Sequence, residues 1–224
     1  MTQELVDIWV QEVQPIIDAH YQVSAEGVPS ENIRADVGWK WNRYFTWHEC
    51  SFALRRVTGI KSNITPTTAL CLAIEQKGRL FPIGMLIALP KFMCQVKDVR
   101  RDRSFTWYLS DAPADIYSSL FDEERVQGVA KALVDSTIQL SVAAGLQGEM
   151  LLHASPKGGA KLECFYREKC RMLQLHSSDS PVSTFRWKQP RNEFYYFDSQ
   201  SAMEFCQLSD VHRGNHSVPQ ALRG

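Results

Sequence analysis

The sequence predicts an α/β fold, because runs with the spacing of strands alternate with runs with the spacing of helices. Across residues 105–169 the order is strand, helix, strand, helix. Upstream, the β-rich runs 67–75 and 83–89 flank a short polar segment that contains Gly78, and they predict a hairpin. No linker rich in Pro, Gly or Ser divides the chain, so we expect one domain over residues 1–224.

The first element is an amphipathic helix over residues 4–20. Such a helix packs either on its own sheet or on a partner, which keeps a homodimer open. Residues 21–36 lack periodicity and contain Gly27 and Pro29, so they predict a loop. The apolar face of the helix is formed by Leu5, Ile8, Trp9, Val13, Ile16 and Ile17.

A cluster of five large aromatic residues follows the loop within residues 39–47. One interpretation is a hydrophobic plug over one end of the sheet, and the other is the wall of a substrate pocket. We expect Trp41 to be structural and leave both interpretations open for Trp39 and Trp47. The five residues are Trp39, Trp41, Tyr44, Phe45 and Trp47.

A helix predicted over residues 123–144 opens with the pattern R-x-x-G-x-A, from Arg125 to Ala130. The free N–H groups at a helix N-terminus carry partial positive charge, and Gly128 lets an anion approach the backbone. A helix start that needs a small residue for close packing gives the same pattern, so a second motif is required. Gly145 and Gly148 close the helix.

The remaining elements follow this helix closely. A buried strand over residues 150–154 leads to a helix over residues 160–169 that contains Phe165 and Tyr166. Two further strands are predicted at 172–175 and 193–197, with a loop rich in Ser, Asp and Pro between them. We expect the last residues, 211–224, to be poorly ordered or dependent on a partner.

The order of these elements and their motifs resembles the coenzyme A-binding core of the GNAT N-acetyltransferase superfamily, over roughly residues 67–175. In that family Q/R-x-x-G-x-G/A wraps the coenzyme A pyrophosphate, and here it maps onto Arg125, Gly128 and Ala130. A strand ending in "LHA", here residues 152–154, precedes a helix with "FY". The segment 108–113 is similar to the "YLxxAP" of one branch. The resemblance implies a mixed, mostly antiparallel central sheet flanked by helices, in which two strands splay apart to admit the pantetheine arm.

The resemblance also implies roles for individual residues. Tyr166 would give a proton to the departing thiolate, although a tyrosine on an amphipathic helix can equally be a packing residue. Asp111 lies near the place where the family has a carboxylate or a water chain, although Asp before Ala-Pro is also a common turn residue. The implied cofactor-binding residues are Ser110, Arg125, Val126, Gln127, Gly128, Val129 and Ala130.

Three regions are expected within the domain. Residues 1–66 would form a helical region on the acceptor side, 67–175 the coenzyme A core, and 176–224 the C-terminal strands and tail. Two departures from the family pattern lie in the core. The helix that carries Tyr166 ends in Cys170 and Arg171 instead of Gly and an aromatic residue, and Ser155 stands near the position of a frequent Asn.

The function that this resemblance implies is acyl-CoA-dependent N-acyltransfer, with acetyl-CoA or another acyl-CoA as co-substrate and no metal. The acceptor would be an amine on a small molecule or a protein. One alternative is a catalytically silent module of the same fold that binds coenzyme A or a protein. The other is a modifier of nucleic acid or charged tRNA.

Composition limits the classes of partner. Acidic and basic residues balance at 25 each, and the dense basic run 100–103 is interrupted by Asp102, so nucleic acid and membrane surfaces are disfavoured. We expect this run and Arg55-Arg56 to be solvated surface. No apolar run approaches the roughly 20 residues of a membrane span, and the N-terminus lacks a basic start, so a cytoplasmic protein is expected.

Cysteine and histidine provide few further candidates. The six cysteines lie far apart without a C-x-x-C motif, so we expect reduced thiols that serve mainly in packing. The pair His48 and Cys50 could suggest a cysteine nucleophile, but no Gly-rich turn presents the thiol, and we discount it. His153 lies in a predicted buried strand, where we expect a satisfied core histidine rather than a base.

Overall fold

The described strands of the protein form one mixed sheet. The computed structural model describes residues 1–21, 33–58, 66–121, 125–176 and 193–213, without the side chains of 51–58 and 210–213. The described strands lie in the order β1-β2-β3-β4-β6-β5, and every neighbouring pair is antiparallel except β3 and β4. The strands are β1 (Thr68–Gln76), β2 (Arg79–Val96), β3 (Val99–Asp111), β4 (Met150–His153), β5 (Leu173–Gln174) and β6 (Phe194–Phe197).

Helices flank this sheet, so the predicted fold class is confirmed. Three of the helical segments contain a π-helical turn, at Trp9–Val13, Tyr117–Phe121 and Phe165–Lys169. The α-helices are α1 (Gln3–Ile8), α2 (Gln14–His20), α3 (Trp41–Thr58), α4 (Ala114–Ile116), α5 (Val129–Ala143), α6 (Gly159–Cys164) and α7 (Ser199–Arg213), and a short 3-10 turn, Pro156–Gly158, precedes α6.

The N-terminal helical segment, α1 to α2, packs on its own chain. Val6, Trp9 and Ile17 are fully buried, and they belong to the core cluster that includes Met85 of β2. The predicted amphipathic face therefore packs on the sheet, because burial there removes its apolar side chains from water. The sequence left open whether this helix packs on its own sheet or on a partner, and the structure shows that it packs on its own sheet.

Two tight turns connect the first three strands. Lys77 and Gly78 both have positive φ in the turn between β1 and β2, as a two-residue hairpin turn requires, so the predicted hairpin is confirmed. Lys97 and Asp98 form a second such turn between β2 and β3. Strands β2 and β3 are both longer than predicted. The residues that extend their hairpin toward the turn are rich in charged side chains, and such a run does not predict a buried strand.

The interpretation of the basic run 100–103 as solvated surface is wrong for one residue. Arg103 is only 2% exposed, and its Nε lies 3.0 Å from Oε2 of the buried Glu149. Glu149 directly precedes β4 and also pairs with Arg101, and the Arg103 guanidinium lies over the Tyr196 ring. A buried charge must be paired, so this cluster fastens the adjacent ends of β3 and β4 together.

The parallel pairing of β3 and β4 is short. Its register begins at Ser104 and Met150 and ends at Thr106 and Leu152, whereas β3 continues to Asp111 and β4 ends at His153. The last residues of β3 therefore have no ladder partner on the β4 side. A cleft lined by both strands opens at this place, where the family resemblance implies that two strands splay apart.

Helix α5 begins later than the sequence predicted. It runs from Val129, not from residue 123, with Gly128 as N-cap at φ +81 and Gly145 beyond its C-terminus at φ +80. Residues 123 and 124 lie outside the described part of the chain. The helix buries Leu133, Val134 and Ile138 against the sheet. The glycine at each end adopts a backbone conformation that side chains disfavour.

The C-terminal part of the chain contains a helix that the sequence did not predict. Helix α7 reaches Arg213, so the expectation of poor order from residue 211 is wrong for residues 211–213. Its polar composition concealed an apolar side that buries Ala202 and Phe205. Residues 214–224, most of the loops predicted at 21–36 and 176–193, and the side chains of Arg55-Arg56 lie outside the described residues.

The buried Trp41 provides a direct test of the packing. Its side chain is fully buried, with its ring centroid 6.2 Å from that of Trp9. We expect Trp41→Ala to lower the free energy of unfolding by about 3–5 kcal/mol, because it leaves a large cavity. Urea titration measures this change. The matched control is Trp47→Ala, at a residue 68% exposed, which should change stability by less than about 0.5 kcal/mol.

Candidate active site

Two clefts meet at the opening between β3 and β4. One, here called the basic cleft, has a volume of about 590 Å³ and lies against the N-terminus of α5. The other, here called the aromatic cleft, has a volume of about 470 Å³ and lies between β3 and the end of β4. Four residues line both clefts: Ala35, Leu109, Leu162 and Tyr166.

The start of α5 forms one wall of the basic cleft. Gly128, Val129, Ala130 and Lys131 all line it. No side chain caps the helix, and the first intrahelical bond is donated by the amide of Ala132. The amides of the first helical turn are thus available to an anion, and a Cβ built at Gly128 meets nothing within 4 Å. The anion site predicted at this helix start stays a prediction.

The charges around the basic cleft favour a negatively charged ligand. Among the described residues that line it, five carry a positive side chain and three a carboxylate. The excess of positive charge adds to the partial charge of the helix terminus. The five are Arg34, Arg125, Lys131, Lys161 and Lys169, and the three are Asp36, Asp111 and Asp115.

An ion-pair network forms the floor of the basic cleft. Arg34 donates two hydrogen bonds to Asp36, of 2.9 and 2.7 Å, and one of 2.6 Å to the backbone oxygen of Asp111. The Asp111 carboxylate also pairs with Arg125, and Ser110 donates its hydroxyl to Asp36. Asp111 therefore lies on the basic cleft and serves in ion pairs, and the Ser110 hydroxyl is already engaged.

Of the predicted cofactor-binding residues not yet described, two line this cleft and one does not. Arg125 and Gln127 line it, whereas Val126 is exposed and is not among its lining residues. A backbone amide needs no side chain in the cleft, so the role predicted for Val126 stays a prediction.

The aromatic residues of segment 39–47 lie in different environments, namely the core, the aromatic cleft and the exposed surface. Trp41 is a core residue, as expected, and Trp39 is half-buried and lines the aromatic cleft. Trp47 is exposed and is not among the residues that line either cleft, although its ring lies 6.5 Å from that of Trp107. Tyr44 stacks on Tyr108 of β3 with 3.9 Å between ring centroids, which joins the segment to the wall of the cleft.

Tyr166 lies where the two clefts meet. It belongs to the π-helical turn Phe165–Lys169 that follows α6, and its side chain is buried while it contributes to the lining of both clefts. Burial raises the pKa of the phenol well above its usual value near 10. The hydroxyl is therefore protonated at neutral pH and can donate a proton.

The unusual end of the Tyr166 helix has a structural explanation. Cys170 is buried, and Arg171 adopts the left-handed conformation at φ +59 that glycine would take more readily. The Met172 amide donates a 2.9 Å hydrogen bond to the Tyr166 carbonyl oxygen and closes the turn. The departure from the family pattern thus leaves Tyr166 on a helix end that is closed by a backbone hydrogen bond.

The structure places His153 at the last position of β4, where it lines the aromatic cleft. Its Nε2 lies 2.9 Å from Oε2 of Glu193, which comes directly before β6. The ring packs against Phe194, 4.9 Å between centroids. The expectation of a simple core histidine missed that its ring lies beside a cleft.

Several residues that line the basic cleft were not predicted from the sequence, and they come from distant parts of the chain. Arg34 and Asp36 lie in a segment predicted only as a loop. Lys161 and Lys169 lie on the predicted helix in which only the Phe-Tyr pair matches the family motif. No local signal marks them. His48, of the discounted His48 and Cys50 pair, bonds to Thr67 at 2.6 Å and is not among the residues that line the clefts.

Among the described residues, no group of three or more His, Cys, Asp or Glu side chains is placed to hold a metal ion. No helix of the described part of the chain has both the length and the apolar character needed to cross a bilayer.

Comparison with known proteins gives a loose structural similarity and no sequence match. No family model matches the chain, and no curated protein does. The structure is similar to that of the KacTA-DNA complex, with a TM-score of 0.41, 11% identity, and coverage of 74% of this chain and 85% of that chain. These values are too low for the neighbours to support an argument about the site.

Two similar structures contain the toxin AtaT. A mutant AtaT bound to the C-terminus of the antitoxin AtaR and acetyl-CoA has a TM-score of 0.45 and 12% identity, covering 87% of this chain and 90% of that chain. The same mutant bound to the C-terminus of AtaR alone has a TM-score of 0.44 and 14% identity, covering 73% and 81%. The function must therefore be argued from the residues of this chain.

Proposed function

We propose that the protein is an acyl-CoA-dependent N-acyltransferase that transfers an acetyl group directly from acetyl-CoA to an amine. The observation that carries this proposal is the junction of the two clefts at Tyr166. A cleft suited to a polyanion meets a cleft suited to an apolar group at a buried phenol. Both reactants of a ternary complex could therefore reach the same hydroxyl.

The basic cleft fits the diphosphate of coenzyme A. The amides at the start of α5 point toward an anion bound there, and the absence of a side chain at Gly128 lets the phosphates reach the backbone. Arg125 and Lys131 add charge at the same end of the helix. The resemblance of this loop to the family's pyrophosphate motif supports the same ligand.

The opening between β3 and β4 fits the pantetheine arm. Beyond Thr106, strand β3 has no ladder partner on the β4 side, so its backbone groups can bond to the amides of an extended ligand. The path from the basic cleft along this edge passes Leu109 and reaches Tyr166. A ligand bound this way would bring its thioester to the junction.

The chemistry proposed for Tyr166 is that of a general acid. As the acceptor nitrogen attacks the carbonyl carbon, the C–N bond forms and the C–S bond breaks, and the thiolate takes the phenol proton. The raised pKa of Tyr166 keeps that proton in place at neutral pH. The closed helix end at Arg171 supports transfer over the catalytically silent alternative, because Tyr166 stays fixed beside the opening.

Calorimetric titration with acetyl-CoA tests the proposal. We expect binding, and Arg125→Ala should weaken it about fivefold, because it removes one exposed charge and leaves Asp111 without that partner. The matched control is Arg79→Ala, which removes an arginine paired with Glu12 and absent from the lining of both clefts. Absence of binding to the unaltered protein would contradict the proposal.

A further inference from the structure

We infer that the aromatic cleft takes a primary amine carried on an aromatic group, and that His153, positioned by Glu193, receives the proton that this amine loses. The inference rests on the proposed acyltransfer at the junction of the clefts. It assigns the acceptor class and the proton acceptor, neither of which follows from binding of coenzyme A.

The walls of the aromatic cleft define the acceptor class. Six aromatic rings line its walls, in addition to Tyr166 at the junction and the ring of His153, and Lys157 carries the cationic side chain of its described lining. Among the described residues that line it, none is Asp or Glu, so the additional positive charges of a polyamine or a lysine-rich peptide, beyond the one ammonium that His153 deprotonates, would meet no opposite charge there. Planar rings stack favourably on such walls. The six rings are those of Trp39, Phe92, Phe105, Trp107, Tyr108 and Phe194.

The size of the cleft agrees with this class. A volume of about 470 Å³ lies within the range of sites for small molecules, roughly 300–1,000 Å³. Trp39 and Trp107 are only partly buried although both rings are large and apolar. Their remaining exposed surface faces a site that an aromatic acceptor would cover.

The contact between His153 and Glu193 prepares the imidazole to accept a proton. Nε2 of His153 and Oε2 of Glu193 are buried and lie 2.9 Å apart, an ion-pair distance, and neither atom forms a hydrogen bond of regular geometry within the described chain. A carboxylate beside Nε2 favours the tautomer with the proton on that nitrogen, which leaves the lone pair on Nδ1. Among the described residues, Nδ1 has no hydrogen-bond partner.

The charged and titratable surroundings of His153 keep the ring neutral near pH 7. Burial lowers the pKa of His153 below its usual value near 6.5. Burial and the charge of Glu163 raise the pKa of Glu193. The groups around the pair are Glu193 at the start of β6, Lys157 and Tyr166 in the cleft lining, and Glu163 and Tyr195 near Glu193.

His153 is better placed for this role than Asp111. The Asp111 carboxylate lies on the basic cleft between Arg34 and Arg125. His153 lines the same cleft as Tyr166 and the aromatic walls. The proton acceptor for the amine and the proton donor for the thiolate would then stand around one reacting centre.

Each proton in the proposed step has a donor and an acceptor. The acceptor enters as an ammonium ion and transfers one proton to His153, and the free amine attacks the thioester carbon. Tyr166 protonates the departing sulfur and regains a proton from the nitrogen as the amide forms. His153 releases its proton to solvent, so the products are the amide, the free thiol of coenzyme A and one proton.

The dependence of turnover on pH tests the role of His153, with phenethylamine as acceptor and acetyl-CoA at saturation. We expect the unaltered enzyme to have a nearly constant kcat from pH 7 to 9. In His153→Gln only free amine can react, so kcat should rise about tenfold per pH unit over this range, as the fraction of free amine does below a pKa near 10. Glu193→Gln, which removes the positioning carboxylate, should show an intermediate slope.

The control for this experiment is His48→Gln, at a partly buried histidine that is not among the lining residues of the clefts. It should keep the flat profile. A flat profile of reduced height in His153→Gln would overturn the inference, because a purely structural role lowers kcat equally at every pH.

Acceptor choice tests the other half of the inference. We expect kcat/KM for phenethylamine to exceed that for spermidine at least tenfold. A preference for spermidine, or no acetylation of phenethylamine by protein that binds acetyl-CoA in the calorimeter, would overturn the inference while leaving the proposed function standing. Failure of acetyl-CoA itself to bind would instead remove the proposed function.

Discussion

Replacing Tyr166 by Phe should lower kcat by 10²–10⁴-fold, the usual effect of losing a general acid, while the affinity for acetyl-CoA changes little. The reason is that Tyr166→Phe removes only the hydroxyl at the junction of the clefts, and the ring keeps its packing near Tyr195, 5.3 Å away between centroids. Steady-state turnover and calorimetric affinity, measured on the same preparation, separate the two effects.

The matched control for this variant is Tyr195→Phe. Tyr195 is also a buried tyrosine, but it is not among the residues that line either cleft. Its kcat should stay within about twofold of the original. Equal turnover in Tyr166→Phe would return Tyr166 to a packing role, and equal losses in both variants would attribute the effect to packing.

Replacing Gly128 by Glu should abolish measurable binding of acetyl-CoA. The substitution places a carboxylate where the amides at the start of α5 would hold a diphosphate, and it fills the space through which the phosphates approach the backbone. The left-handed backbone at φ +81 adds strain of about 1–2 kcal/mol. Calorimetry with acetyl-CoA measures the loss of affinity.

Gly145→Glu controls for the strain in this variant. Gly145 lies beyond the other end of the same helix, at φ +80, and a Cβ there also meets nothing within 4 Å. Both variants should lose similar stability in urea titration, and only Gly128→Glu should lose acetyl-CoA binding. Binding by Gly128→Glu at the original affinity would show that the diphosphate lies elsewhere.

The parts of the site that the sequence predicts are the ones encoded locally. The pattern from Arg125 to Ala130 and the periodicity behind it lie in one stretch, so the N-terminus of α5 and the glycine at its start could be inferred without any tertiary contact. Tyr166 was identified in the same way, from a short motif. Its position at the junction depends on the sheet and could only be implied by the family resemblance.

The parts that the sequence did not predict depend on distant residues. Arg34 and Asp111 are 77 positions apart, and His153 meets Glu193 only because β4 pairs with β6. No spacing rule links such residues, so an irregular segment predicts only a loop, and a histidine in a strand pattern predicts a core residue. Arg103 was misjudged for the same reason, since its burial depends on Glu149.

A crystal structure of the protein with acetyl-CoA tests the central claim most directly. We expect the diphosphate oxygens within about 3 Å of the backbone amides at the start of α5, the usual hydrogen-bond distance. We also expect the thioester sulfur within reach of the Tyr166 hydroxyl. A diphosphate bound away from Gly128, or a thioester remote from Tyr166, would contradict it.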